Sequence, residues 1–157
     1  MSGEPIRLVD RFLEEYGESH QNRTNKIIHW FCVPVIFWTV VALLWAVPSP
    51  EWMGGLNWAM VILGLTTVYY AYLSFPLAIG MVAFSLACMA SVMQYLTLTE
   101  FPLWQFALIV FVVAWIGQFI GHAIEGKKPS FVKDLQFLLI GPAWLMHFIY
   151  RQTGIRY

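Results

Sequence analysis

The sequence predicts an all-α fold, a polytopic membrane bundle of four transmembrane helices with an amphipathic helix before them and an interfacial or re-entrant helical segment after them. Three observations predict it. The chain is 59% hydrophobic and only 11% charged, whereas charged residues make up about a quarter of an ordinary soluble domain. Apolar runs free of charge recur at lengths that match a hydrocarbon core of about 30 Å. Positive charge is confined to the two ends of the chain. A soluble chain this apolar would expose large greasy patches, so the bilayer is the simpler solvent. At 157 residues the natural count is one domain, 1–157. A formal net charge of zero implies no long-range attraction to nucleic acid.

Residues 5–16 place Ile6, Val9, Phe12, Leu13 and Tyr16 at three-four spacing with charges between them, the pattern of a short amphipathic helix. The start of the chain is polar, with Glu4, Arg7, Asp10 and Arg11 among its first residues. It therefore predicts no cleavable signal peptide, and insertion relies on the first span. Asn22-Arg23-Thr24-Asn25 breaks the pattern, and Thr24 is the expected N-cap of the first span.

The spans are predicted at about 27–47, 56–73, 77–98 and 103–124, joined by Pro48 to Gly55, by the tight Ser74-Phe75-Pro76 and by Glu100-Phe101-Pro102. Residues 125–157 form a tail whose apolar part is interrupted at Gly141-Pro142, which predicts an interfacial or re-entrant helix pair rather than a fifth crossing. All nine Lys and Arg residues lie before residue 27 or after residue 126. With four spans the termini share one side, and the positive-inside rule makes that side cytoplasmic. The membrane is then the inner membrane in a bacterium or the endoplasmic reticulum in a eukaryote. Cys32 and Cys88 sit in apolar stretches without CxxC spacing and read as buried inert thiols.

The four histidines, His20, His29, His122 and His147, all fall near the cytoplasmic face in this topology. Gln118, His122 and Glu125 stand at i, i+4 and i+7 on one face of the fourth span. Asn25 and His29 are likewise i, i+4 at the start of the first. Polar groups at the edge of a membrane bundle generally face inward and are functional. Imidazole binds iron, zinc, copper or nickel, and two or three histidines with a carboxylate or open positions suit non-haem Fe(II) chemistry. Glu125 could then be a ligand or could orient one. Arg23, Lys26, Lys127 and Lys128 gather at the same face, where they would meet anionic lipid or receive an anionic head group. Gly117 and Gly121 form GxxxG, read as a packing element, and Trp30, Trp45, Trp52, Trp104 and Trp144 read as headgroup anchors.

The stretch from Tyr16 through His20, Asn22, Asn25 and His29 to Pro34 resembles the amino-terminal signature of the Mpo-type 2-hydroxy fatty acid dioxygenases. Trp115 to Pro129, with Gln118, Gly121, His122 and Glu125, resembles their second signature. The resemblance implies an Fe(II)-dependent membrane enzyme that shortens a 2-hydroxy fatty acid by one carbon. Its partners would be membrane lipid, the 2-hydroxy fatty acid and dioxygen. It also implies His20, His29 and His122 as iron ligands, with His147 as a fourth at a position where other members often have an acidic residue. Glu125, Gln118 and Asn25 would orient ligands or substrate, while Lys127, Lys128, Arg23 and Lys26 would draw in the carboxylate. Such a substrate can chelate iron through its hydroxyl and one carboxylate oxygen. Its conversion to the shorter acid and carbon dioxide supplies the four electrons that one dioxygen accepts. Two other readings stay open: a metal- or haem-binding membrane protein without turnover, and a lipid-binding bundle. The sequence leaves association into a homo-oligomer unspecified.

Overall fold

The structure is a computed structural model that describes residues 7–126 and 131–157, with 131–137 described in backbone only. Among the described residues it is all-helical. The order is α1 (Leu8–Glu18), α2 (Arg23–Ala46), a 3-10 turn at Glu51–Met53, α3 (Trp58–Leu73), α4 (Phe75–Leu98), α5 (Leu103–Glu125) and α6 (Phe131–Thr153). Three of these, α2, α4 and α5, are long and apolar enough to cross a membrane, whereas α3 is apolar but has only 16 residues. At about 1.5 Å per residue α3 is roughly 24 Å long, short of a full hydrocarbon core. Its start at Trp58 rather than Leu56 reflects Asn57, whose side chain caps the helix by accepting from the Met60 amide.

Helices α2 and α5 form one antiparallel pair and α3 and α4 another. Ser74 alone connects the second pair. It ends α3, and its hydroxyl accepts from the Leu77 amide to start α4. The outer faces stay apolar, with Leu65 63%, Val68 68% and Val113 63% exposed, as expected of surfaces that meet lipid rather than water.

The first N-cap differs from expectation. Asn22, not Thr24, caps α2, because its side-chain oxygen accepts from the amides of Thr24 and Asn25. The tail differs as well: α6 is one continuous helix with Pro142 inside it, not a pair broken at Gly141-Pro142. Proline deprives the carbonyl four residues earlier of its donor and crowds that turn. That carbonyl belongs to Leu138; the Tyr70 hydroxyl of α3 donates to the next one, of Leu139, at 2.7 Å and ties the turn to α3.

Helix α6 lies across the end of the bundle where α2 begins, α5 ends and α3 meets α4. Tyr150 donates to the Pro76 carbonyl at 2.7 Å, and Gly141 of α6 packs against Tyr16 and Val33. Val9, Leu13 and Tyr16, the buried face of α1, join Ile140, Ala143 and Trp144 of α6 in one core cluster. Together α1 and α6 roof the histidine end.

The closest helix approach lies between α2 and α5. A Cβ at Gly121 would stand 2.4 Å from Asn25 Oδ1 and 3.4 Å from His29 Cε1, and one at Gly117 would stand 2.7 Å from Cys32 Sγ. Real Cβ contacts do not reach such distances, so Gly121→Ala must displace Asn25. A loss on the order of 1–3 kcal/mol is expected from this overpacking, read as a lower thermal midpoint by circular dichroism in detergent. Gly64→Ala, at a helical position with nothing within 4 Å, is the matched control and should lose nothing. Equal stability of the two variants would contradict the close approach.

Candidate metal centre

His20 sits just past α1, in a turn where its amide donates to the Gly17 carbonyl at 3.0 Å. His29 lies in the second turn of α2 and His122 in the last turn of α5. Their ring centroids are 4.2 Å apart for His20 and His29, 5.0 Å for His29 and His122, and 5.4 Å for His20 and His122. His20 and His29 are buried and His122 half-buried. The ligating atoms lie within 4.8 Å of one another. Nitrogens bound at about 2.1 Å to one ion are at most about 4.2 Å apart, so small ring rotations bring them to a common centre.

The backbone sets which nitrogen faces that centre. His20 Nδ1 lies 2.6 Å from the Tyr16 carbonyl and His29 Nδ1 lies 2.9 Å from the Asn25 carbonyl. A carbonyl only accepts, so each Nδ1 carries the proton and each Nε2 keeps its lone pair. His20 Nε2 is buried with no hydrogen-bond partner. Burial pushes the His20 imidazole down to about 4, so the ring is neutral at physiological pH, the form that binds metal. An orphaned buried nitrogen, two backbone-fixed tautomers and three converging imidazoles fit a metal ion that prefers imidazole.

Glu125 is occupied elsewhere. Its oxygens accept from the amides of Gln21 at 2.8 Å and Asn22 at 2.9 Å, and from Asn25 Nδ2 at 3.0 Å. Asn25 Nδ2 also donates to the Ser19 carbonyl at 3.2 Å. These bonds pin the turn that carries His20 to the end of α5. Gln118 is buried beside the His29 ring, and its amide nitrogen has no partner. Lys26 is half-buried and close enough for its charge to act on His20, while Arg23 is exposed. Lys127 and Lys128 lie outside the described residues.

His147 is not brought into the group. It reaches the Tyr157 hydroxyl and packs against Phe148 on the outer part of α6. Trp144, one turn earlier, takes the place over the site instead. It is buried rather than an interfacial anchor, 5.4 Å from His20 and 5.3 Å from Tyr16 between ring centroids. Tyr16 stacks flat on His20 at 4.2 Å. Tyr16 was legible as the i−4 neighbour of His20 on an amphipathic face, but Trp144 offered no local signal.

Comparison with known proteins bears on this centre. The model of the family described as Mpo1-like, 2-hydroxy-palmitic acid dioxygenase Mpo1-like, matches residues 6–153. The 2-hydroxy-palmitic acid dioxygenase MPO1 of Saccharomyces cerevisiae is 27% identical over 134 residues, covering 83% of this chain and 73% of the yeast protein. No solved structure matches the chain. The family match takes in every helix and all three clustered histidines, and the chain belongs to the Mpo1-like 2-hydroxy-palmitic acid dioxygenase family.

Proposed function

We propose that this chain is an Fe(II)-dependent dioxygenase that converts a 2-hydroxy fatty acid to the fatty acid one carbon shorter, with release of carbon dioxide. The observation that carries the reading is the convergence of His20, His29 and His122 from three separate segments on one point. Iron, when bound there, supplies the centre at which dioxygen and a chelating 2-hydroxy carboxylate meet. The residues do the rest. The carbonyls of Tyr16 and Asn25 hold two imidazoles in the ligating tautomer. Glu125 and Asn25 hold the His20 turn against α5. Tyr16 and Trp144 cover His20 and exclude water from that side. Lys26, with Arg23, gives the face a positive rim for a carboxylate, and Lys127 and Lys128 follow α5 directly in the sequence. We read the bundle as four spans, α3 being the short one, with both termini in the cytoplasm.

A haem carrier is less well supported, because rings 4.2–5.4 Å apart leave no slot for a macrocycle between them. An apolar cavity of about 480 Å³ between α2, α4 and α5, lined by Pro34, Trp38, Phe84 and Phe106, is not read as the acyl seat. At about 100° per residue, Pro34 and Trp38 stand some 140–180° around α2 from His29. The cavity is on the wrong flank.

Metal analysis of the detergent-purified protein is expected to give about one iron per chain after anaerobic loading, as one imidazole cluster holds one ion. Oxygen uptake with a 2-hydroxy fatty acid should be abolished by His122→Ala. A protein that takes up no iron would retire the enzyme reading. Glu125→Ala separates clamp from ligand. Iron affinity, measured by chelator competition, should fall about 10–100-fold, as for loss of an orienting partner. Complete loss of iron, matching His122→Ala, would make Glu125 a ligand, and an unchanged affinity would refute the clamp.

A further inference from the structure

Phe111, Trp115, Gln118 and His122 stand at i, i+4, i+7 and i+11 of α5. They form one row within about 60° around the helix, running from the histidine cluster toward the middle of the span. Two members carry an unexplained donor. Gln118 is only 5% exposed, yet its amide nitrogen is buried without a partner, and the indole nitrogen of Trp115 is also buried without one. A buried N–H that no acceptor meets costs on the order of 1–3 kcal/mol, and more at membrane depth, where no bulk water can substitute. Two such donors three residues apart, Cβ atoms about 5–6 Å from each other, would be a poor arrangement for packing alone.

We propose that Trp115 Nε1 and Gln118 Nε2 are head-group donors that receive the carboxylate of a long-chain acid. The proposal rests on the reading of the site above and deepens it by assigning the substrate's anionic end. Gln118 lies about 6 Å deeper than His122 along α5. The aromatic row continues beyond the donors through Phe111, whose ring is 6.0 Å from that of Trp115, in the direction an acyl tail takes toward the bilayer centre. Head and tail thus follow the same helix face.

The test uses the full chain in detergent, metal-free, so that it does not depend on turnover. Binding of 2-hydroxypalmitate, palmitate and hexadecanol is measured for the wild type, Trp115→Phe and Gln118→Leu. Wild type is expected to prefer both carboxylates to the alcohol. Each variant should lose about tenfold in carboxylate affinity, as for one charge-assisted hydrogen bond, with alcohol affinity unchanged. If one variant does not fold, the other still decides. A preference that survives in every folded variant, or is absent from the wild type, overturns the proposal. Iron loading of the same samples tests the enzyme reading separately: a protein that binds carboxylates selectively but no iron would keep the head-group donors and lose the dioxygenase.

Discussion

Gly117 and Gly121 bring α2 and α5 together at a separation that a single methyl group on either would exceed, and the geometry of the histidine end descends from that contact. With α5 this close, Asn25 on α2 reaches Glu125 at 3.0 Å. Glu125 in turn reaches the amides of Gln21 and Asn22. Those amides belong to the turn between α1 and α2, so the same carboxylate that reads the α2–α5 spacing also sets where His20 stands. Two imidazoles on the paired helices would meet without this device. The third arrives only because an unpaired stretch of backbone is held by a side chain about a hundred residues away.

The roof depends on a different balance. Helix α1 has no membrane-spanning length and is held by its buried face, Val9, Leu13 and Tyr16, against α6. Helix α6 is tied to both helix pairs, by tyrosine hydroxyls to the α3–α4 pair and by the close packing of Gly141 on Val33 to α2. Pro142 lies in the turn that the Tyr70 hydroxyl anchors to α3 through the Leu139 carbonyl. The arrangement leaves the histidine rings beneath Tyr16 and Trp144, both of which pack on His20.

Much of this was legible in the sequence, because the signals were periodic or local. Charge-free runs marked α2, α4 and α5, and the i, i+4, i+7 spacing put Gln118, His122 and Glu125 on one face. What escaped was set by tertiary contact. Whether α3 crosses fully is not decided by hydropathy in a helix of 16 residues. Pro142 reads as a break because the tertiary contact that anchors its turn, the Tyr70 hydroxyl on the Leu139 carbonyl, comes from about seventy residues away. The predicted topology puts His147 and Trp144 at the same end as the other histidines, but it does not say which side of α6 points at the site. Sequence spacing likewise left the role of Glu125 open, and only its three donors show that its oxygens are already engaged.

That engagement has an electrostatic consequence for the metal reading. Imidazoles bring no negative charge, and the nearby Glu125 carboxylate is already engaged by the amides it accepts from. A divalent cation at this position would therefore keep its full charge in a half-buried, low-dielectric setting, where an uncompensated ion is costly. An anionic bidentate ligand relieves that cost and a neutral alcohol does not. Among the described residues the histidine group includes no carboxylate, which on the proposed reading favours an acid over an alcohol. On the proposed reading, the head group of an anionic substrate would supply the negative charge that three imidazoles do not.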